Sequence, residues 1–227
     1  MSLHLLTRYG LTKAVTLPPS GDAPDIVSSA SGADGALLTS HDVDMPSGSG
    51  GHILVVTRTA RSSGSPTTSA PEGWEKITDG SNATGELSAF VRQADGSEGG
   101  SVTFSSSLAV SISWVSLRVS GASNSSPAEA ADGEYNSSDL PSLSPTGGEA
   151  AYRWIAVYSH RRGAVISAAP TEYANLITVA TGGTTTLHCG LGVADRALTA
   201  ATEDPGQFTV TGSPAIEYTA TIAVRPA

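Results

Sequence analysis

Side chains capable of chemistry are few in this sequence, and they are scattered. The five histidines are His4, His41, His52, His160 and His188. None has a second histidine four residues away, and no His-x-Glu occurs, so no zinc signature is present. Cys189 is the single cysteine, which excludes an intramolecular disulfide and a multi-cysteine metal site. In LHCGLGV it shares strand parity with Leu187 and Leu191 and is expected in the core as a small hydrophobe. His188 has the opposite parity and is expected to face outward. Asp42 and Asp44 in SHDVD could offer two oxygens to calcium, but that ion takes about six to eight. Gly48-Ser49-Gly50 has the wrong spacing for a nucleophile elbow, and no helix follows it. Glu98, Glu129, Glu134 and Glu149 stand in loops without visible partners, and the acid pair of a glycoside hydrolase meets only in space. The expectation is a protein that is not an enzyme, with no catalytic, cofactor-binding or metal-binding residues and no cofactor.

Binding chemistry is equally sparse. The chain carries a net charge of −9, and Arg161–Arg162 beside His160 is its only compact basic group, so nucleic acid is not an expected partner. Trp74, Trp114 and Trp154 could stack sugars, but each sits in an apolar strand or a Pro-x-Gly corner and is read first as core. Sequons at Asn82, Asn124 and Asn136 imply exposed loops. No apolar run approaches the roughly 20 residues of a membrane-spanning helix, and the N-terminus lacks the pattern of a secretory signal, so neither membrane insertion nor signal-led export is expected.

The elements that must carry these side chains read as strands. Only 15% of the 227 residues are charged, and Val, Ile, Thr and Leu recur in short runs. Residues 1–23 stand apart, with LHLL and KAVTL before the break PPSGDAP, and form an expected N-terminal docking arm. ADGALLTSHDVDMP suggests an edge strand, and Ile53–Thr57 a compact apolar one. Arg58–Ala70 reads as an exposed polar loop. Glu86–Ala94 alternates, with Leu87, Ala89 and Val91 opposite Glu86, Ser88, Phe90 and Arg92. Asp95–Gly96 is a turn leading to VTFSS. Ser111–Gly121 alternates over its whole length. Residues 122–150, rich in Ser, Pro, Ala and Gly, read as a linker or long excursion.

The part beyond the linker echoes the first. Ile53-Leu54-Val55-Val56 is set against Trp154-Ile155-Ala156-Val157, and Pro71…Trp74 against Pro170…Tyr173. Leu87, Ala89 and Val91 are set against Leu187, Cys189 and Leu191, and Ile112 and Trp114 against Ile216 and Tyr218. A period near 100 residues signals two related halves rather than a solenoid, whose repeats run about 20–50 residues. The expected fold is all-β, an antiparallel β-sandwich or jelly roll with internal duplication. It spans 24–227, with halves at about 35–121 and 152–227 joined by the 122–150 loop. Each half could close its own sandwich, or the two could interleave into one.

Gly51–Val55, Ala70–Trp74, Phe90–Ala94, Val102–Ser105 and Trp114–Gly121 together resemble a β-sandwich module of accessory proteins in tailed phages and phage-like gene transfer particles. Such modules occur in head spikes, head fibres, minor tail proteins and tail fibres. The resemblance implies a structural virion component, a head spike or decoration base or a tail accessory protein, serving assembly and host-surface attachment. It implies capsid or tail proteins as partners, a homo-oligomer such as a trimer or pentamer, and a host-surface glycan as a further contact. The location implied is the virion, assembled in the bacterial cytoplasm and released by lysis. A carbohydrate-binding or adhesion module is the alternative.

Overall fold

The computed structural model describes residues 21–182 and 187–227, so most of the expected docking arm lies outside the described residues. Thirteen strands make up the described chain: β1 (Asp25–Asp44), β2 (Ile53–Arg61), β3 (Thr68–Ser69), β4 (Glu75–Asn82), β5 (Gly85–Gln93), β6 (Ser101–Ser120), β7 (Ala128–Asp132), β8 (Ala150–Arg161), β9 (Val165–Ala168), β10 (Ala174–Ala180), β11 (Gly190–Ala200), β12 (Thr209–Thr211) and β13 (Ala215–Val224). All pairings are antiparallel.

The chain is all-β and antiparallel, as expected, and its two halves build one sandwich without interleaving their strands. Each half forms one sheet, and the two sheets stack. The first sheet has the order β1-β6-β2-β5-β4, with β3 added on β6; the second has the order β7-β13-β8-β11-β10. Strand for strand the two orders are the same. A small ribbon of β9 and β12 lies apart from both.

The alternation in the strands dictates three apolar layers. Between the sheets, Ile53, Val55, Leu87, Val91, Leu117 and Val119 meet Ile155, Val157, Leu191, Val193, Ile222 and Val224. The central strands are apolar on both faces, so each sheet needs a second cover. On the first sheet, Leu54, Val56, Phe90 and Trp114 are covered by Val43, Met45 and Phe104. These come from the far ends of β1 and β6, which run on together through bulges around Leu38. On the second sheet, Trp154, Ala156 and Tyr158 are covered by Leu140, Leu143, Ile166 and Phe208.

Three expectations are corrected here. The 122–150 stretch is no mere linker: it supplies β7 and then caps the second sheet through Leu140 and Leu143. Arg58–Arg61 is not loop but the fully buried end of β2. Asp95–Gly96 does turn the chain, with Gly96 at φ 86°, yet the strands it joins are not neighbours, because β2 lies between β5 and β6.

The Pro71 and Pro170 corners are alike. Trp74 N–H donates to Pro71 O and Tyr173 N–H to Pro170 O, each at 3.0 Å. The residue before each ring is left-handed, Gly73 at φ 77° and Glu172 at φ 68°. Both rings are buried plugs, as their proline spacing suggested.

Candidate functional site

The sandwich has one closed flank and one open one. The sheets stack so that β4 lies by β7 and β1 by β10. Between β4 and β7, Asp79 N–H donates to Asp132 Oδ2 at 3.1 Å, and from the neighbouring β13 Tyr218 O–H donates to Asn82 Oδ1 at 2.5 Å. At β1–β10 a groove of about 420 Å³ remains, with Ile26, Val27, Ser29, Leu117, Ile177 and Val193 among its lining.

Local sequence explains the opening. Ser28 to Ala33 of β1 reads SSASGA, side chains too short to reach the opposite sheet. A bulge at Val27 turns that residue outward, to 47% exposure. Across the groove, β10 is irregular between Ala174 and Ile177, with Asn175 at φ 53°. Bulges at sheet edges end regular pairing and re-aim side chains. Among the described residues, both flanking strands are sheet edges, each pairing on one side only.

One end of the groove is tied by Arg153. Its Nη1 donates to Asp195 Oδ2 at 2.9 Å, Nη2 to Asp25 Oδ1 at 2.9 Å and Nε to Pro24 O at 2.7 Å. Asn175 Nδ2 donates to the other oxygen of Asp195 at 3.0 Å. The acids at this end are thus held by a guanidinium and an amide. Two strand edges flanking a groove lined by both apolar and polar side chains suit an extended chain, which brings its own N–H and C=O groups.

The residues weighed in the sequence lie apart from this groove. His41 is buried, with Nδ1 3.1 Å from Asp34 Oδ2 and Nε2 2.9 Å from Val110 O, so both ring nitrogens are engaged. Asp42 accepts a hydrogen bond from Thr103 Oγ1. Among the described residues, no group of three or more His, Cys, Asp or Glu is placed to hold a metal. Cys189 is fully buried as expected; its thiol donates to Ser111 O at 3.2 Å, and burial pushes its pKa up to about 11. His188, expected outside, is buried at 5% exposure. Its ring centroid lies 5.6 Å from that of His160, an aromatic contact that takes it in from solvent. Glu98 pairs with Arg118 at 3.4 Å and Glu129 with Arg225 at 2.7 Å. Trp74, Trp114 and Trp154 are all buried, at 7%, 7% and 0% exposure, so none offers a face to a sugar. Among the described residues, no helix is long and apolar enough to cross a membrane.

One polar network escaped the sequence reading. Glu86, fully buried on the outer face of the first sheet, accepts from Lys76 Nζ at 2.7 Å, Thr68 Oγ1 at 2.6 Å and Thr68 N–H at 3.1 Å. Arg58 donates to the same Thr68 hydroxyl and to Ser106 Oγ, the latter at 2.9 Å. Desolvation lowers the Arg58 pKa to about 10. The network ties β3, which pairs with β6, to β2 and β5. Period-two alternation places Glu86 opposite Leu87 but gives no sign that its own face is covered.

No family model matches the chain, and no curated protein or solved structure is significantly similar to it.

Proposed function

We propose that this protein is a non-enzymatic structural component of a phage or phage-like particle, a spike or decoration base or a tail accessory, assembled as a symmetric oligomer. The observation that carries the reading is the β1–β10 flank, where among the described residues two sheet edges and a groove of mixed polar and apolar lining stand open while the opposite flank is bridged by hydrogen bonds. Exposed edges invite another chain, and stable monomers usually blunt them with bulges, charge or cover. Here bulges are present, but Ser28 to Ala33 carries no charge. The motif likeness over Gly51–Val55, Ala70–Trp74 and Trp114–Gly121 supports the virion context. The carbohydrate-binding alternative loses its platform, because all three tryptophans are buried.

The test is the oligomeric state of the full chain in sedimentation, compared with Val27→Lys/Ser29→Lys. Both residues line the groove and Val27 is exposed, so the fold should tolerate the change within about 0.5 kcal/mol. The reading predicts an oligomer for the native chain and a folded monomer for the variant. A monomeric native chain, or an oligomer indifferent to the two lysines, would remove the β1–β10 flank from assembly.

A further inference from the structure

At the end of the sandwich formed by the C-terminus of β8, His160 lies in register between two strands. Its Cα partners are Gly190 on β11 and Glu217 on β13, so all three residues present the same face. The imidazole leans to the β11 side. A Cβ on Gly190 would stand 2.2 Å from Nε2 and 2.5 Å from Cε1, so this position must be glycine for the ring to rest there. His160 Nδ1 lies 3.1 Å from Arg162 O, an acceptor, which makes Nδ1 the protonated nitrogen and leaves Nε2 as the base.

The surroundings are cationic. Arg61 at the end of β2 is fully buried; its Nη2 donates to Ser159 Oγ and Ile216 O at 3.4 and 3.2 Å, and its guanidinium lies over the Tyr218 ring, 4.7 Å from the centroid. Arg161 and Arg162 follow on β8 and its turn, and the His188 ring lies 5.6 Å away before β11. The facing residues of β9 and β10, Val165–Ile166 and Thr178–Ala180, carry no charge. The acid in register with His160 is Glu217, whose Oε1 accepts from Tyr158 O–H at 2.5 Å.

We propose that His160 is an acid-operated latch: neutral, it packs on Gly190 and holds the β10–β11 edge to β8; protonated, it swings to Glu217 and lets that edge loosen. A proton on Nε2 would point at the Gly190 backbone, on the side where the His188 ring and the buried Arg61 guanidinium lie. On the β13 side a carboxylate waits at the same register. Desolvation first, then the charge of His188, lowers the His160 pKa to about 4, so the latch works in acid and not near neutrality. Its release would loosen β10, one wall of the open groove.

The test follows hydrogen exchange of the full chain, corrected for intrinsic rates, between pH 7 and pH 4, with the His160 imidazole titrated by NMR in parallel. Native protein should lose about tenfold protection over residues 174–180 and 190–195, with the midpoint of the His160 titration. His160→Gln should abolish that pH dependence. Glu217→Gln, which keeps the neutral packing, should move the midpoint to lower pH. The latch is overturned if His160 titrates without change at β10–β11, or if His160→Gln shows the same acid loss. Should His160→Gln fail to fold, an unchanged midpoint in Glu217→Gln overturns it.

Discussion

At the scale of single residues, this protein spends its ionisable groups on structure. Arg153 bridges Asp25 and Asp195 across the two sheets, and Glu86 gathers Lys76 and Thr68 at a buried point. A buried pair of this kind is a poor source of net stability, yet losing one partner leaves the other uncompensated. Glu86→Gln should therefore destabilise by about 3 kcal/mol, read as a lower urea midpoint with an unchanged slope. A midpoint within error of the native one would mean that Lys76, which also pairs with Asp79 at 2.8 Å, is satisfied without Glu86. His188 belongs to the same lesson. Parity placed it opposite Cys189, which is correct, but a sheet covered on both faces has no wet side for it to meet.

At the scale of elements, strand identity was legible and strand phase was not. Period-two runs mark β5 and β6 because one face of each is plainly apolar. In β2 every residue from Ile53 to Arg61 is buried, so alternation carries no phase. The sequence match of Ile53 with Trp154 consequently slipped by one. Val55 stands opposite Leu117 and Val91, and Ile155 opposite Ile222 and Asp195, so Val55 and Ile155 are the equivalent pair. Trp154 faces the outer layer, with Tyr152 and Leu143, while Ile53 faces the central one. The same slip set Trp114 against Tyr218, which lie on outer and inner faces respectively. The Pro71 and Pro170 corners were read in correct phase, because a proline and a ring at fixed spacing are markers that burial does not blur. The groove could not be read at all: it arises from two bulges and a run of small side chains on strands 150 residues apart, which meet only after the sheets stack.

At the scale of the whole molecule, the two sheets are one folding unit. The central layer takes Ile53, Val55, Leu117 and Val119 from one half and Ile155, Val157, Ile222 and Val224 from the other. Either half alone would expose an entire apolar sheet face, the condition that leads to aggregation rather than to a stable domain. The native chain should unfold in one cooperative transition seen equally by tryptophan fluorescence and circular dichroism. Residues 1–123 and 124–227 made separately should each lack a cooperative transition and regain it when refolded together. Two independent transitions in the intact chain would show that the halves are domains after all.

The same architecture, closed on one flank and open on the other, is what makes a particle component the favoured reading, and that reading can be tested without any variant. Density-gradient fractions from a producing culture would be analysed by mass spectrometry for this chain and for the major capsid protein. Co-migration at a fixed ratio well below that of the capsid protein is the predicted result, and the ratio would separate a vertex spike from a tail accessory. Recovery of the chain only in particle-free fractions would contradict the account.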